Sequence, residues 1–149
     1  MAISRTKKRP GKVRPTTAKE LSVLAWIQDA QGNVLLIQQT AGEQLWSLPG
    51  GKANSTEALK VALRRELKEE IGVNLSSARV IDLFDRPMRS SLAVLFRTTL
   101  GKGKLKLGKT EIKNAAFVNK LPPNATPSLR FFWKRQFSQA QAKSNTLDL

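Results

Sequence analysis

The chain has no cysteine, no histidine and no tyrosine. The missing cysteines exclude disulfides, thiolate metal sites and thiol nucleophiles, and leave the redox compartment unmarked. The missing histidines are more informative, because most general bases are histidines and the candidates left near neutral pH are a carboxylate or a strongly perturbed lysine. Acid–base chemistry therefore falls to Asp or Glu, of which there are 11 in 149 residues. No apolar run approaches the roughly 18 residues of a membrane span, and the N-terminus lacks the apolar segment of a secretory signal. A soluble, cytoplasmic protein with no membrane partner is expected. Asn54-Ser55-Thr56 has the form of a glycosylation acceptor, incidental without a secretory route.

Positive charge is what the chain has in excess. Lys and Arg number 26, for a net +15. Residues 1–19 hold Arg5, Lys7, Lys8, Arg9, Lys12, Arg14 and Lys19 with no acid, which leaves +8 for the rest. This stretch is also poor in large apolar residues, so it cannot offset its own ordering entropy and reads as a disordered basic tail. It is either a solvated terminus or an arm that touches nucleic acid or another anionic surface. Residues 20–149 are the size of one domain with a real core.

Along that domain, Leu21 to Gln28 reads as a largely buried strand, with a turn over residues 29–33 leading into a second strand, Val34 to Gln39. Asn54 followed by Glu57 has the spacing of a capping box, which predicts a helix from about Ser55 to Ile71 that stops at Gly72. Ala78 to Phe84, Ser91 to Leu100 and Lys113 to Val118 read as strands, with a short one over Lys104 to Leu107 placing lysines along a sheet edge. Thr126-Pro127-Ser128 predicts the start of a second helix over Leu129 to Ala142, with Leu129, Phe132, Trp133 and Phe137 facing inward.

Chemistry concentrates between Gly51 and Val73, GKANSTEALKVALRRELKEEIGV. Gly51 is followed after five residues by Glu57, after seven more by Arg65-Glu66, then by Leu67, Glu69-Glu70, Gly72 and Val73. At roughly 100° per residue, Glu66, Glu69 and Glu70 share an arc of roughly 100° on one helix side. Helical neighbours three and four apart sit roughly 5 to 6 Å from each other, so these carboxylates repel unless something positive lies between them. That arc overlaps the edge of the leucine stripe, and a carboxylate turned toward a core must be paired, protonated or metal-bound. With no His or Cys available, all-oxygen ligation favours Mg²⁺, with Mn²⁺ as substitute. The bland reading is a charged helix face with Arg64, Arg65 and Lys68 as partners.

The spacing resembles the Nudix box, the signature of a family that hydrolyses diphosphates linked to another moiety. Chance agreement at seven fixed and two apolar positions is on the order of 10⁻¹⁰ per starting position, so accident does not account for it. The resemblance implies an α/β fold, an α/β/α sandwich with a mixed β-sheet between helices. It matches Glu66, Glu69 and Glu70 to cation-binding glutamates, with Glu66 in the position that serves some members as general base. It matches Gly50 to a backbone carbonyl ligand, Glu57 and Arg65 to an ion pair that holds the loop on the helix, and Gly51 and Gly72 to the glycines that frame them. A further acid from outside the box often completes the site in relatives, and Glu111 is the candidate here, with Asp82 and Asp85 as alternatives. One departure is Ser55-Thr56-Glu57 where relatives commonly carry Gly-Glu before the helix, which puts loop shape in question.

The implied activity is metal-dependent hydrolysis of a phosphoanhydride in a nucleotide or nucleotide-sugar type substrate. Two other readings stand beside it: a pyrophosphohydrolase acting on the 5′ end of RNA, with the basic tail tracking phosphates, and a non-catalytic nucleotide-binding module. The last would be expected to have lost a box glutamate, and none is missing. Trp26, Trp46 and Phe84 read as core rather than base-stacking residues, and Arg86, Arg89 and Arg97 as surface arginines that could meet phosphates.

Overall fold

Alternation along three strands sets the architecture of the computed structural model, which describes residues 18–108 and 111–147, with side chains to residue 139. In β1 (Glu20–Trp26) the buried Val23 and Ala25 turn to one side and Trp26 to the other. In β2 (Val34–Gln39) Leu35 and Ile37 separate from Val34 and Leu36 in the same way. Two short strands, β3 (Trp46–Ser47) and β4 (Gly50–Lys52), lead to the helix α1 (Leu59–Ile71). The long β5 (Leu75–Arg86) turns through a single 3-10 turn into β6 (Ser91–Leu100), and β7 (Ile112–Val118) precedes the second helix, α2 (Pro127–Leu147).

Two sheets result. The order β4-β1-β6-β5 makes a mixed four-stranded sheet, and β3-β2-β7 an antiparallel one. β1 and β6 run parallel with Val23 opposite Val94, while β4 and β5 are antiparallel to their neighbours. One core layer joins Val23, Ala25, Leu35, Ile37, Val94 and Phe96 to Ala62, Leu63, Leu67 and Ile71 of α1. The other joins Trp26, Leu36, Ala93 and Leu95 to Leu129 and Phe132 of α2. Burial on both faces explains why the first strand is apolar without alternation from Val23 to Trp26. The expected α/β/α layering is therefore present, with its strands divided between two sheets. No helix among the described residues is long and apolar enough to cross a membrane.

Several expected boundaries move. The basic stretch 1–19 lies outside the described residues except for its last two. α1 begins at Leu59 rather than Ser55: its N-cap is Ala58, which makes no side-chain cap bond. Asn54 instead donates its N–H to the Glu57 carboxylate at 3.1 Å and accepts the Glu57 N–H at 3.0 Å, closing a turn ahead of the helix. No strand forms over Lys104 to Leu107. This segment is a strap across the end of α1, donating the Lys106 N–H to the Ile71 carbonyl at 2.7 Å and the Gly108 N–H to the Glu70 carbonyl at 2.9 Å. Those carbonyls have no partner inside the helix, and capping them outweighs the strand propensity of a few alternating residues. α2 starts within the expected Thr126-Pro127-Ser128 and runs past its expected end to Leu147, and Phe137 packs on Trp26 and Trp133 while remaining 40% exposed.

α2 is tied to the edge strand by an ion pair. Arg135 reaches both oxygens of Asp82, at 2.9 and 3.1 Å, and the Asp82 side chain is only 6% exposed. Burial by itself would raise the Asp82 pKa, but hydrogen bonds from Arg135 and from the Leu83 N–H outweigh it and hold the carboxyl below its ordinary value. A depressed folded pKa means the contribution is fully present above the ordinary value near 3.8 and is lost as pH falls through the folded one. Replacing Arg135 with Met leaves Asp82 buried and unpaired, so urea titrations at pH 7 should show a loss of about 1–3 kcal/mol. The gap between variant and parent should close as titrations are repeated below pH of about 3.8.

Candidate active site

The loop between β4 and α1 is shaped by two glycines for different reasons. Gly50 adopts φ +140°, and a β carbon there would lie 1.9 Å from the Val23 carbonyl oxygen, inside the sheet. At Gly51 a β carbon would come within 2.6 Å of the Glu66 carboxyl carbon. Pairing of Gly50 with Leu24 and of Gly51 with Val23 therefore presses this backbone against the acidic side of α1. Contact is made through the Gly50 N–H, which donates to Glu70 Oε1 at 2.7 Å.

Arg65 binds the loop to the helix. Its guanidinium grips both oxygens of Glu57, at 2.8 and 2.9 Å, and donates to the Lys52 carbonyl at 3.0 Å. The remaining nitrogen donates to Glu66 Oε1 at 3.0 Å and lies 3.5 Å from Glu69. The fork-to-carboxylate bond to Arg65, joined by the Asn54 N–H, lowers the Glu57 pKa to about 2, and raises that of Arg65. At the far end, Gly72 takes the left-handed conformation (φ 70°) and returns its N–H to the Lys68 carbonyl at 3.1 Å.

The three helix glutamates occupy distinct environments. Glu69 is on the rim, with its side chain 52% exposed. Glu66 is largely covered, its side chain 14% exposed, and desolvation raises its pKa above the ordinary value despite the bond from Arg65. Glu70 is 5% exposed, and burial pushes its pKa up to about 8. The Gly50 N–H opposes that shift, while the charges of Glu66, Glu111 and Glu69 add to it. Among the described residues no lysine or arginine pairs with Glu70. Glu111, exposed at the start of β7, is thus close enough to act on both Glu66 and Glu70; its carbonyl is held by the Thr40 N–H at 3.0 Å.

A hard divalent cation fits this donor set. All the donors are oxygen, they repel one another, and the most buried of them has no counter-charge among the described residues. Among the described residues no group of three or more acids is placed to hold a metal ion as it stands; Arg65 engages Glu66 and Glu69. Mg²⁺ requires no such cage, since it keeps several waters and is held through one or two carboxylates together with substrate phosphates.

The other sequence candidates lie elsewhere. Asp82 is committed to Arg135 and Asp85 to Lys19, so neither joins the glutamates. Trp26 is buried against Trp133 and Phe137, Trp46 packs half-buried on the same layer, and Phe84 stacks on Phe131 with centroids 4.0 Å apart. Arg97 bonds Gln28 at 3.3 Å, and Arg86 lies over the Phe84 ring at 5.5 Å. Sequence reasoning missed the Lys52 carbonyl, which no side-chain pattern reports, and the strap that ends at Gly108. Glycines at 101, 103 and 108 were the available signal for the strap, as breakers of the strand expected there.

Known proteins resemble this chain in sequence and fold over most of its length. The family model described as the NUDIX domain matches residues 18–138. An 8-oxo-dGTP diphosphatase of Proteus vulgaris is 33% identical over 109 residues, covering 69% of this chain and 94% of that protein. A CTP pyrophosphohydrolase of Escherichia coli (strain K12) is 40% identical over 58 residues, covering 37% of this chain and 43% of that protein. In fold, the chain is similar to the crystal structure of a MutT NUDIX hydrolase from Burkholderia pseudomallei, with a TM-score of 0.68 at 23% identity, covering 76% of this chain and 94% of that one. With a box complete at every glutamate and a domain match over most of its length, this chain belongs to the Nudix family of hydrolases.

Proposed function

We propose that this chain is a Mg²⁺-dependent pyrophosphohydrolase, with Mn²⁺ as a substitute, that cleaves a phosphoanhydride bond in a nucleoside diphosphate linked to another moiety. Nucleoside triphosphates are the first substrate class to test, because two relatives are named for 8-oxo-dGTP and CTP. The observation that carries the reading is Glu70: a buried carboxylate bound to the Gly50 N–H, with no cationic side chain paired to it among the described residues and with the charges of Glu66, Glu111 and Glu69 acting on it.

Glu66, Glu69 and Glu70 would hold the cation, with the Gly50 carbonyl and Glu111 as further oxygen donors. When bound, the cation neutralises charge on the phosphate oxygens and makes water at the site more acidic. Glu66 is the base. Its Oε1 is occupied by Arg65, while Oε2 accepts no hydrogen bond from the described residues and is left to take the proton of the attacking water. The water oxygen bonds to phosphorus, the anhydride P–O bond breaks, and the departing phosphate keeps that electron pair. Glu57 and Arg65 touch no reacting atom in this scheme; they keep the loop and Glu66 in register. Residues 1–19 are read as a basic tail ahead of the catalytic domain, residues 20–149, and the cytoplasm as the place of action.

A panel of nucleoside triphosphates, nucleotide sugars, NADH and 5′-triphosphorylated RNA, assayed with Mg²⁺ and with chelator, tests the function. Metal-dependent turnover of at least one small nucleotide is expected, and turnover undiminished by chelator would sink the reading. RNA turned over better than any free nucleotide, with steep salt dependence, would instead assign the basic arm to the substrate. Glu66→Gln should lower kcat about 10²- to 10⁴-fold with a smaller change in KM, as steady-state kinetics would show. Gly51→Ala forces the Glu66 carboxylate away, and a displacement of that size should cost about 10²-fold in kcat/KM while the far-ultraviolet circular dichroism is retained.

A further inference from the structure

The strap over residues 101–108 does more than cap a helix, because of where it ends. The Gly108 N–H donates to the carbonyl of Glu70 at 2.9 Å, and Glu70 also carries the buried carboxylate of the site. Contact is closer still beside it: a β carbon at residue 108 would meet the Glu69 carbonyl oxygen at 2.6 Å. That obstacle is helix backbone, held by α1 itself, so a side chain at 108 would have to lift the strap. Four residues on, the Ile112 N–H donates back to the Gly108 carbonyl at 3.2 Å, and Ile112 is fixed in the core at 4% exposure. Glu111 stands immediately before Ile112, and its own carbonyl is tied to the end of β2 through the Thr40 N–H.

The backbone at Glu111 is therefore set from two sides, by β2 and, through the Ile112 N–H on the Gly108 carbonyl, by a glycine seated on the helix carrying the proposed metal-binding glutamates. We infer that Gly108 is a positioning residue: its lack of a side chain sets the distance between Glu111 and the Glu66–Glu70 pair, and so whether Glu111 completes the cation site. This rests on the reading of Glu111 as an oxygen donor given above. It also accounts for a long-range feature of the chain, the arrival of an acid from outside the box at a helix roughly forty residues earlier. The strap transmits position by contact, with the carbonyls of Glu69 and Glu70 as its seat.

The test is a double-mutant cycle on the full chain, read by turnover and by Mn²⁺ binding without substrate, using the electron paramagnetic resonance signal of free Mn²⁺. Gly108→Ala should lower kcat about 10- to 100-fold with KM changed less than about 3-fold, and should weaken Mn²⁺ binding about 10-fold. In the Glu111→Gln background the same change should have no further effect on either readout, because the group it positions is already gone. Equal losses in both backgrounds, or no loss in either, would overturn the inference and reduce Gly108 to a helix cap. Should Gly108→Ala fail to fold, one glycine inserted after Gly108 keeps the contact with α1 while releasing Glu111, and the same cycle applies. If Glu111→Gln changes neither readout, Glu111 is no ligand and the inference falls with it. If the parent chain binds no Mn²⁺ at all, the proposed function fails first.

Discussion

One guanidinium carries the junction between loop and helix. Arg65 spends its donors on Glu57, on the Lys52 carbonyl and on Glu66, so a single side chain fixes where the helix begins, how the loop folds back and how the Glu66 carboxylate is oriented. The bond to Glu57 is the strong kind, two parallel charge-assisted contacts in a fixed plane, which lysine cannot reproduce. It also relocates the helix start. Glu57 is drawn to Arg65 and to the Asn54 N–H, and the residues between Asn54 and Ala58 are left as a turn rather than as a first helical turn.

Against that ordered pair, the remaining carboxylates are arranged at a cost to the fold. Glu70 sits in the same helix as the buried Leu63, Leu67 and Ile71, where an apolar residue would pack without desolvating a charge. Among the described residues only the Gly50 N–H compensates it. Places where local rules of folding are broken without local repayment are where function is to be sought. The two glycines before the helix follow from the same demand: one admits the backbone to the sheet and the other leaves room for Glu66.

The family relationship and the internal geometry bear on different questions. The NUDIX match and the similarity to diphosphatases identify the class of reaction. The geometry separates roles among residues that the box presents as equivalent. Glu69 is on the rim, Glu66 is covered and held at one oxygen, and Glu70 is buried against backbone. Asp82 and Asp85, equal to Glu111 as acids in the sequence, are taken up by Arg135 and Lys19 and so removed from the site.

Much of the fold and site was legible in the chain because it depends on short-range periodicity. The apolar runs at Val23 and Val34 gave strands buried on two faces, the leucine stripe gave α1, and helical spacing by itself gathered Glu66, Glu69 and Glu70. The absence of histidine and cysteine left a carboxylate or a strongly perturbed lysine as the candidate base and oxygen as the expected metal donor, without any structure. What only tertiary structure decided were the contacts between backbone and distant segments: the Lys52 carbonyl on Arg65, the Gly50 N–H on Glu70, and the strap that seats Gly108 on α1. The physical reason is that every residue carries the same N–H and carbonyl. Side-chain pattern records which face of an element is buried, but not which unpaired carbonyl at a helix end a loop residue will reach.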